Sequence, residues 1–308
     1  MQDVFILDRK TKKIEKESIY FEEGIRFLYG KSFLSRTLGR FVLHALAKWP
    51  LTSYLVGKLQ DRPSSRKKIL PFIQEYQIDE KEFEKESRTF SSFNDFFVRK
   101  LKPEARPIDQ ESHTAVMPAD ARYQFFQQIN KGTPFKVKEE QFSLKKLFQN
   151  DALAAKYEGG SMVIARLCPT DCHRFYFPFA CVAEPAQEIN GKLFSVNPIA
   201  IKDNPWIWAA NFRVLTKLKS SLFGDVAFFE VGATSVGSIK QTFTPFAKQE
   251  KGAEKGYFAF GSALIILFEK NKIVFDQDLL DATAKDIEIR CLIGESMGKA
   301  VTNKPAIE

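Results

Sequence analysis

The chain has 308 residues, 44% of them hydrophobic and 27% charged, with too little Gly (16) and Pro (14) for a fibrous or disordered protein. Its longest charge-free apolar run, 256–268, falls short of the ~18 to 20 residues that cross a bilayer, which argues against a transmembrane anchor. Four cysteines without C-x-x-C spacing argue against a disulfide scaffold and for a reducing compartment, and the net charge of +8 is gathered into one segment.

The opening residues, MQDVFILDRKTKKIEK, lack an apolar signal-peptide core, so the N-terminus is expected to stay in the cytoplasm. Residues 4–20 read as two short strands. Between positions 25 and 70, ten bases stand against one acid, Asp61. Leu34, Leu38, Phe41, Val42 and Ala45 recur three or four apart, the spacing of one helical face, with Arg36 and Arg40 on its flank and Trp49-Pro50 ending it. A basic amphipathic helix edged by Trp suits an anionic membrane surface, where each Lys or Arg adds about 1 kcal/mol. A solvated helix pair packed on the rest of the protein is the plainer alternative. No RNA or DNA motif accompanies the charge, so no nucleic acid partner is expected.

Further on, Ser92 is placed to cap a helix carrying Phe96 and Phe97, which Pro103 closes. One helix is expected from a Ser143 cap to a Gly159 stop, and Asn190-Gly191 predicts a hairpin turn. MVIARL, HRFYFPFACVA, FRVLTKL, DVAFFEVG and YFAFGSALIILF read as strands. The pattern predicts an α+β fold, with basic amphipathic helices over 1–105 and a largely antiparallel β domain over 106–308.

Of the three histidines, His44 and His113 read as surface residues. His173 differs, lying in CPTDCHRFYFP where polar residues meet an apolar strand. Neither a second histidine nor a cysteine pair stands at ligand spacing nearby, so no metal is expected. No G-x-S-x-G elbow accompanies this stretch, and no P-loop or dinucleotide fingerprint appears in the sequence. Gly261-Ser262 interrupts the run FAFGSALII; read alone, it is a bulge whose hydroxyl bonds the backbone.

Taken in order, FNDFFVRKLKPEARPI, MPAD at 117–120, LCPTDCHRFYFP, LFSVNPIAI, NFRVL, EVGATSVGSI and KGAEKGYFAFGSALIILF resemble the blocks of the phosphatidylserine decarboxylase family of prokaryotic type. The resemblance implies a proenzyme in which Ser262 attacks the carbonyl of Gly261 and the chain is cut between the two. The downstream chain then begins with a covalent pyruvoyl cofactor made from Ser262. Such a ketone is an electron sink for converting phosphatidylserine to phosphatidylethanolamine and CO2. Asp120 falls on the acid of the self-cleavage triad, and His173 on a histidine implied to handle protons during decarboxylation. The implied partners are the phospholipid substrate, an anionic membrane surface, and the protein's own cleaved chains as a heterodimer or a larger oligomer. The implied location is peripheral, on the cytoplasmic face of the cell membrane.

Tyr176 stands where the family's triad histidine, the base that activates the serine, is expected. A phenol near pKa ~10 needs a depressed pKa to take the serine proton, and general base catalysis is worth about 10² to 10⁴ in rate. The alternative this raises is a non-processing relative that binds phospholipid without converting it. Ala121 replaces a glycine after the acid, which matters if that position needs positive φ. Ala263 replaces a threonine at the cut, and Cys172 a tyrosine before His173, where it reads as a small packing residue.

Overall fold

The computed structural model describes residues 4–19, 22–29, 58–129, 143–202, 204–233, 239–259 and 263–301. The amphipathic helix expected from Leu34 to Ala45, with His44, lies outside these residues, as does the Gly261-Ser262 pair.

Ala263–Phe268 runs through the middle of an eleven-stranded sheet, antiparallel to Gly224–Val231 on one side and Ser161–Arg166 on the other. Side chains along a strand point alternately to opposite faces. Here Leu264, Ile266 and Phe268 join Val163, Ala165 and Phe228 on one face, while Ala263, Ile265 and Leu267 join Met162, Ile164 and Phe229 on the other. Both faces are covered, which is why the strand is apolar at every position rather than at alternate ones. At about 1.5–3 kcal/mol for each large apolar side chain fully buried, this strand is a principal source of stability.

The sheet extends through Arg213–Ser220 on one side and through Ala121–Phe126, Glu288–Cys291, Phe5–Asp8 and Ile14–Lys16 on the other. Its described strand pairs are antiparallel except Phe5–Asp8 with Glu288–Cys291. The two N-terminal strands, expected from the sequence, therefore belong to the same sheet as the residues beyond 105. A smaller sheet of Ile239–Gln241, Glu254–Phe258 and Arg174–Tyr176 covers one face with Phe175 and Phe258. Short helices, among them Leu144–Phe148, Asp151–Lys156 and Ile207–Ala210, cover the other. The result is an α+β fold dominated by antiparallel sheet.

Upstream of the sheet, the Ser92 hydroxyl caps the helix Phe93–Phe97 as expected, accepting the Asp95 N–H at 3.1 Å. Phe96 is fully buried among Phe72, Phe83 and Phe90, edge to face with each. Two sequence expectations change. The single helix from Ser143 becomes two, because Gln149 turns left-handed at φ 49° and Asn150 caps a second helix by accepting the Leu153 N–H. Asn190-Gly191 forms no hairpin: Gln187–Ile189 pairs with Arg213–Ser220, and a Cβ on Gly191 would stand 2.3 Å from the Asn211 carbonyl carbon. That glycine serves close backbone approach, a use of Gly that local sequence does not distinguish from a turn. Among the described residues no helix is long and apolar enough to cross a membrane.

Candidate active site

The apolar run 256–268 is not one strand. Glu254–Phe258 lies in the small sheet and Ala263–Phe268 in the large one, so the chain changes sheets across 259–262, where the sequence places Gly261-Ser262. The flanks are firmly set. Ala263 sits between Arg166 and Val231 in the sheet, and the Phe258 N–H donates to the His173 carbonyl at 2.9 Å.

Asp120 immediately precedes the strand Ala121–Phe126 and is buried. Arg106 reaches it from the RPI end of the FFVRKLKPEARPI block with Nε 2.9 Å from Oδ1 and Nη2 2.7 Å from Oδ2, a charge-assisted fork. The Ile293 N–H donates to Oδ1 at 2.9 Å. The far side of the same guanidinium holds Glu82. Asp120 is thus fixed in place. The glycine-to-alanine change beside it costs nothing in backbone strain. Ala121 is a strand residue paired with Cys291 and is not among the residues with positive φ.

His173 is fully buried, its ring stacked on Phe97 with centroids 3.9 Å apart and planes 24° from parallel. Its Nε2 lies 2.9 Å from the Cys168 carbonyl oxygen, and among the described residues Nδ1 has no hydrogen-bond partner. A carbonyl oxygen only accepts, so Nε2 carries the proton and Nδ1 presents a free lone pair. Burial pushes the imidazole down to about 3, with the Cys168 carbonyl opposing and the Arg99 charge adding, so the ring is neutral at pH 7.

Tyr176 pairs with Glu254 in the small sheet, and its backbone N–H donates to the Pro118 carbonyl at 2.8 Å. The block carrying His173 therefore runs beside the block carrying Asp120 and beside the strand Glu254–Phe258 that leads to Gly261-Ser262. Burial pushes the Tyr176 phenol above its ordinary value; Cys172, Glu254 and Asp120 add to the rise and Arg174 opposes it. The phenol stays protonated at neutral pH and is equipped to donate a hydrogen bond rather than to take a proton. Cys172, expected as packing, is buried beside this group, its thiol donating weakly to the Arg99 carbonyl at 3.4 Å.

Several charged residues here escaped the sequence reading. Glu230 and Lys255 are wholly buried partners, and Arg122 and Arg166 hold carboxylates beneath the His173 loop. Their signal was present: each is a charge inside or beside an apolar strand run, as in VIAR and AFFEV. A charge so placed has to be paired, and its partner comes from a distant part of the chain.

Comparison with known proteins agrees with this geometry. The family model described as phosphatidylserine decarboxylase matches residues 93–299. Proteins named phosphatidylserine decarboxylase proenzyme are similar over nearly their whole length. The one from Chlamydia muridarum is 45% identical over 299 residues, 97% of this chain and 98% of the relative. That from Chlamydia caviae is 45% identical over 302 residues, 98% of this chain and 99% of the relative, and that from Chlamydia trachomatis serovar D is 42% identical over 299 residues, 97% and 98%. With the family's blocks gathered around one sheet crossing and the match spanning most of the sequence, the chain belongs to the phosphatidylserine decarboxylase family.

Proposed function

We propose that the protein is a proenzyme that cuts itself between Gly261 and Ser262 and then decarboxylates phosphatidylserine to phosphatidylethanolamine. The observation carrying this reading is the convergence of the Asp120, His173 and Tyr176 segments on the two strand ends that flank 259–262. In the cut, Ser262 Oγ bonds to the Gly261 carbonyl carbon, the peptide C–N bond breaks, and the serine proton passes to the released amine through His173 Nδ1. Loss of the Ser262 α-proton then expels the Gly261 carboxylate. Water replaces nitrogen as ammonia, leaving a pyruvoyl group at the head of the downstream chain.

The residues present fit such a group, since the fully buried His173 ring nitrogen, without a partner among the described residues, belongs to the residue whose carbonyl accepts the Phe258 N–H, three positions before Gly261. When in place, the pyruvoyl ketone supplies an electron sink for the electrons left by departing CO2. The rest falls to the chain. Asp120, locked by Arg106, supplies a fixed negative charge. His173 takes up a proton at its bare Nδ1 and passes it on, and Tyr176 donates from its phenol. The buried aromatic wall of Phe97, Phe175 and Phe258 excludes water.

The intact mass of the purified protein tests this reading. Two chains are expected, the smaller starting at position 262 with a blocked N-terminus, together with CO2 release from phosphatidylserine; Ser262→Ala yields one chain and no CO2. A single 35.2 kDa species after long incubation, without turnover, overturns the proposal.

The same reading places 106–308 as the part that carries the chemistry and 1–105 as the part that meets the membrane, peripherally and on the cytoplasmic face, with the cut chains held as a heterodimer. The excess of bases between positions 25 and 70 supports it. Attraction between surface charges is screened over ~8 Å at physiological salt. Vesicles containing phosphatidylserine are therefore expected to bind the protein tightly at low salt and weakly at high salt, in a flotation assay. Equal binding to neutral phosphatidylcholine vesicles removes the electrostatic part.

A further inference from the structure

The His173 ring is oriented by a chain of contacts that ends far from the family blocks. Its hydrogen-bond acceptor, the Cys168 carbonyl, is held in a tight turn: the Asp171 N–H donates to it at 2.9 Å, and the Cys168 N–H donates back to Asp171 Oδ2 at 2.7 Å. Asp171 is gripped in turn by Arg122, whose Nη1 lies 2.6 Å from Oδ1. Arg122 Nε stands 2.8 Å from Glu17 Oε1, Arg166 Nη2 lies 2.6 Å from Glu17 Oε2, and the Cys168 thiol donates to Glu17 Oε1 at 2.7 Å. Glu288 pairs with Arg166 from two strands away, across Ala121–Phe126. Among the described residues, Glu17 is thus the one carboxylate that touches both arginines and the loop itself.

Glu17 follows the strand Ile14–Lys16, lies outside the matched stretch 93–299, and directly precedes the basic segment. Its side chain is 3% exposed. Burying a carboxylate costs several kcal/mol unless charges and hydrogen bonds answer it. Burial alone would raise the Glu17 carboxyl, but Arg166, Arg122 and the Cys168 thiol outweigh it and hold the group below its ordinary value, ionised. An N-terminal strap that only closed a sheet edge needs no buried carboxylate; this one answers two buried arginines beneath the His173 loop.

We infer that Glu17 is a positioning residue for the reaction: through Arg122, Asp171 and the Cys168 carbonyl it fixes the His173 ring with Nδ1 bare and available. This rests on the role given to His173 above. A misplacement of about 1 Å in a reacting geometry costs on the order of 10² in rate, which sets the scale of the effect.

The test compares Glu17→Gln with the parent in two ways. In uncut Ser262→Ala protein, long-range ¹H–¹⁵N spectra of the three histidines, assigned with single-histidine substitutions, report the ring state directly. His173 is expected as one neutral tautomer protonated at Nε2 in the parent and as exchanging tautomers in the variant. In cut protein, kcat is expected to fall about 10²-fold with KM unchanged within twofold. If Glu17→Gln does not fold, Glu17→Asp, which keeps the charge and withdraws it by one methylene, takes its place with the same readouts. A single unchanged tautomer in a folded variant, or a rate loss that only follows the folded fraction, overturns the inference. If the parent is neither cut nor active, the proposed function fails, while the tautomer measurement still decides whether Glu17 sets the ring.

Discussion

Tyr176→His speeds self-cleavage by about 10²- to 10⁴-fold, the span that a well-placed general base contributes. In the proposed self-cleavage, two groups of the segments adjoining the described flanks are available as proton acceptors, and both are poor. The Tyr176 phenol is pushed above its ordinary value by burial, so it offers almost no phenolate. The His173 imidazole is neutral with a free Nδ1, but burial holds it down to about 3, which makes the imidazolium formed during proton transfer costly. An imidazole at 176 faces a different field. Glu254 and, more weakly, Asp120 raise the phenol there, and the same negative charges favour an imidazolium against the cost of burial, with Arg174 opposing. The cut is followed by the appearance of the chain that starts at 262, sampled over time after a rapid preparation. A histidine variant that matures no faster than the natural chain shows that position 176 is not where the base acts. A histidine variant that cuts faster without any gain in decarboxylation per cut chain separates maturation from turnover and leaves the latter to His173.

How much of this was legible in the sequence depended on how local the controlling physics was. The strand Ala263–Phe268 was readable because two-sided burial makes every position apolar. The Ser92 cap was readable because one hydroxyl and one N–H three residues apart suffice. His173 stood out by its place where polar residues meet an apolar strand, but Asp120 only through the family block around it, since nothing in their own spacing shows that the Tyr176 N–H meets the Pro118 carbonyl. Gly191 misled because a close approach to Asn211 and a turn ask for the same residue. The partners of buried charges were beyond reach for a plainer reason. Glu17 and Arg166 are 149 residues apart, and which buried acid meets which buried base is decided by sheet order.

The same principle gives the second large effect. Glu230→Leu alone is expected to destabilise the protein by about 3–5 kcal/mol, whereas Glu230→Leu with Lys255→Met is expected to be near neutral, because a lone buried charge costs far more than an apolar pair. Both side chains are wholly buried. A register shift between Glu254 and Gly256 in the small sheet marks a bulge at Lys255, and bulges characteristically re-aim a side chain. The ammonium meets Glu230, the Thr216 hydroxyl at 2.9 Å and the Gln241 carbonyl oxygen at 2.8 Å, using all three donors beneath the rings of Phe228 and Phe243 at 5.0 Å. Burial pushes Lys255 down and Glu230 up, each against the attraction of the other, so the pair persists only while both members are present. Taking away the carboxylate leaves an ammonium whose remaining partners are neutral dipoles and ring faces. Taking away both leaves room that Leu and Met fill among Phe175, Phe228 and Phe243. Urea unfolding of the uncut Ser262→Ala protein measures the two variants without interference from chain separation. A single variant as stable as its parent sinks the prediction, since it means water reaches Lys255 and the small sheet stands off from the large one.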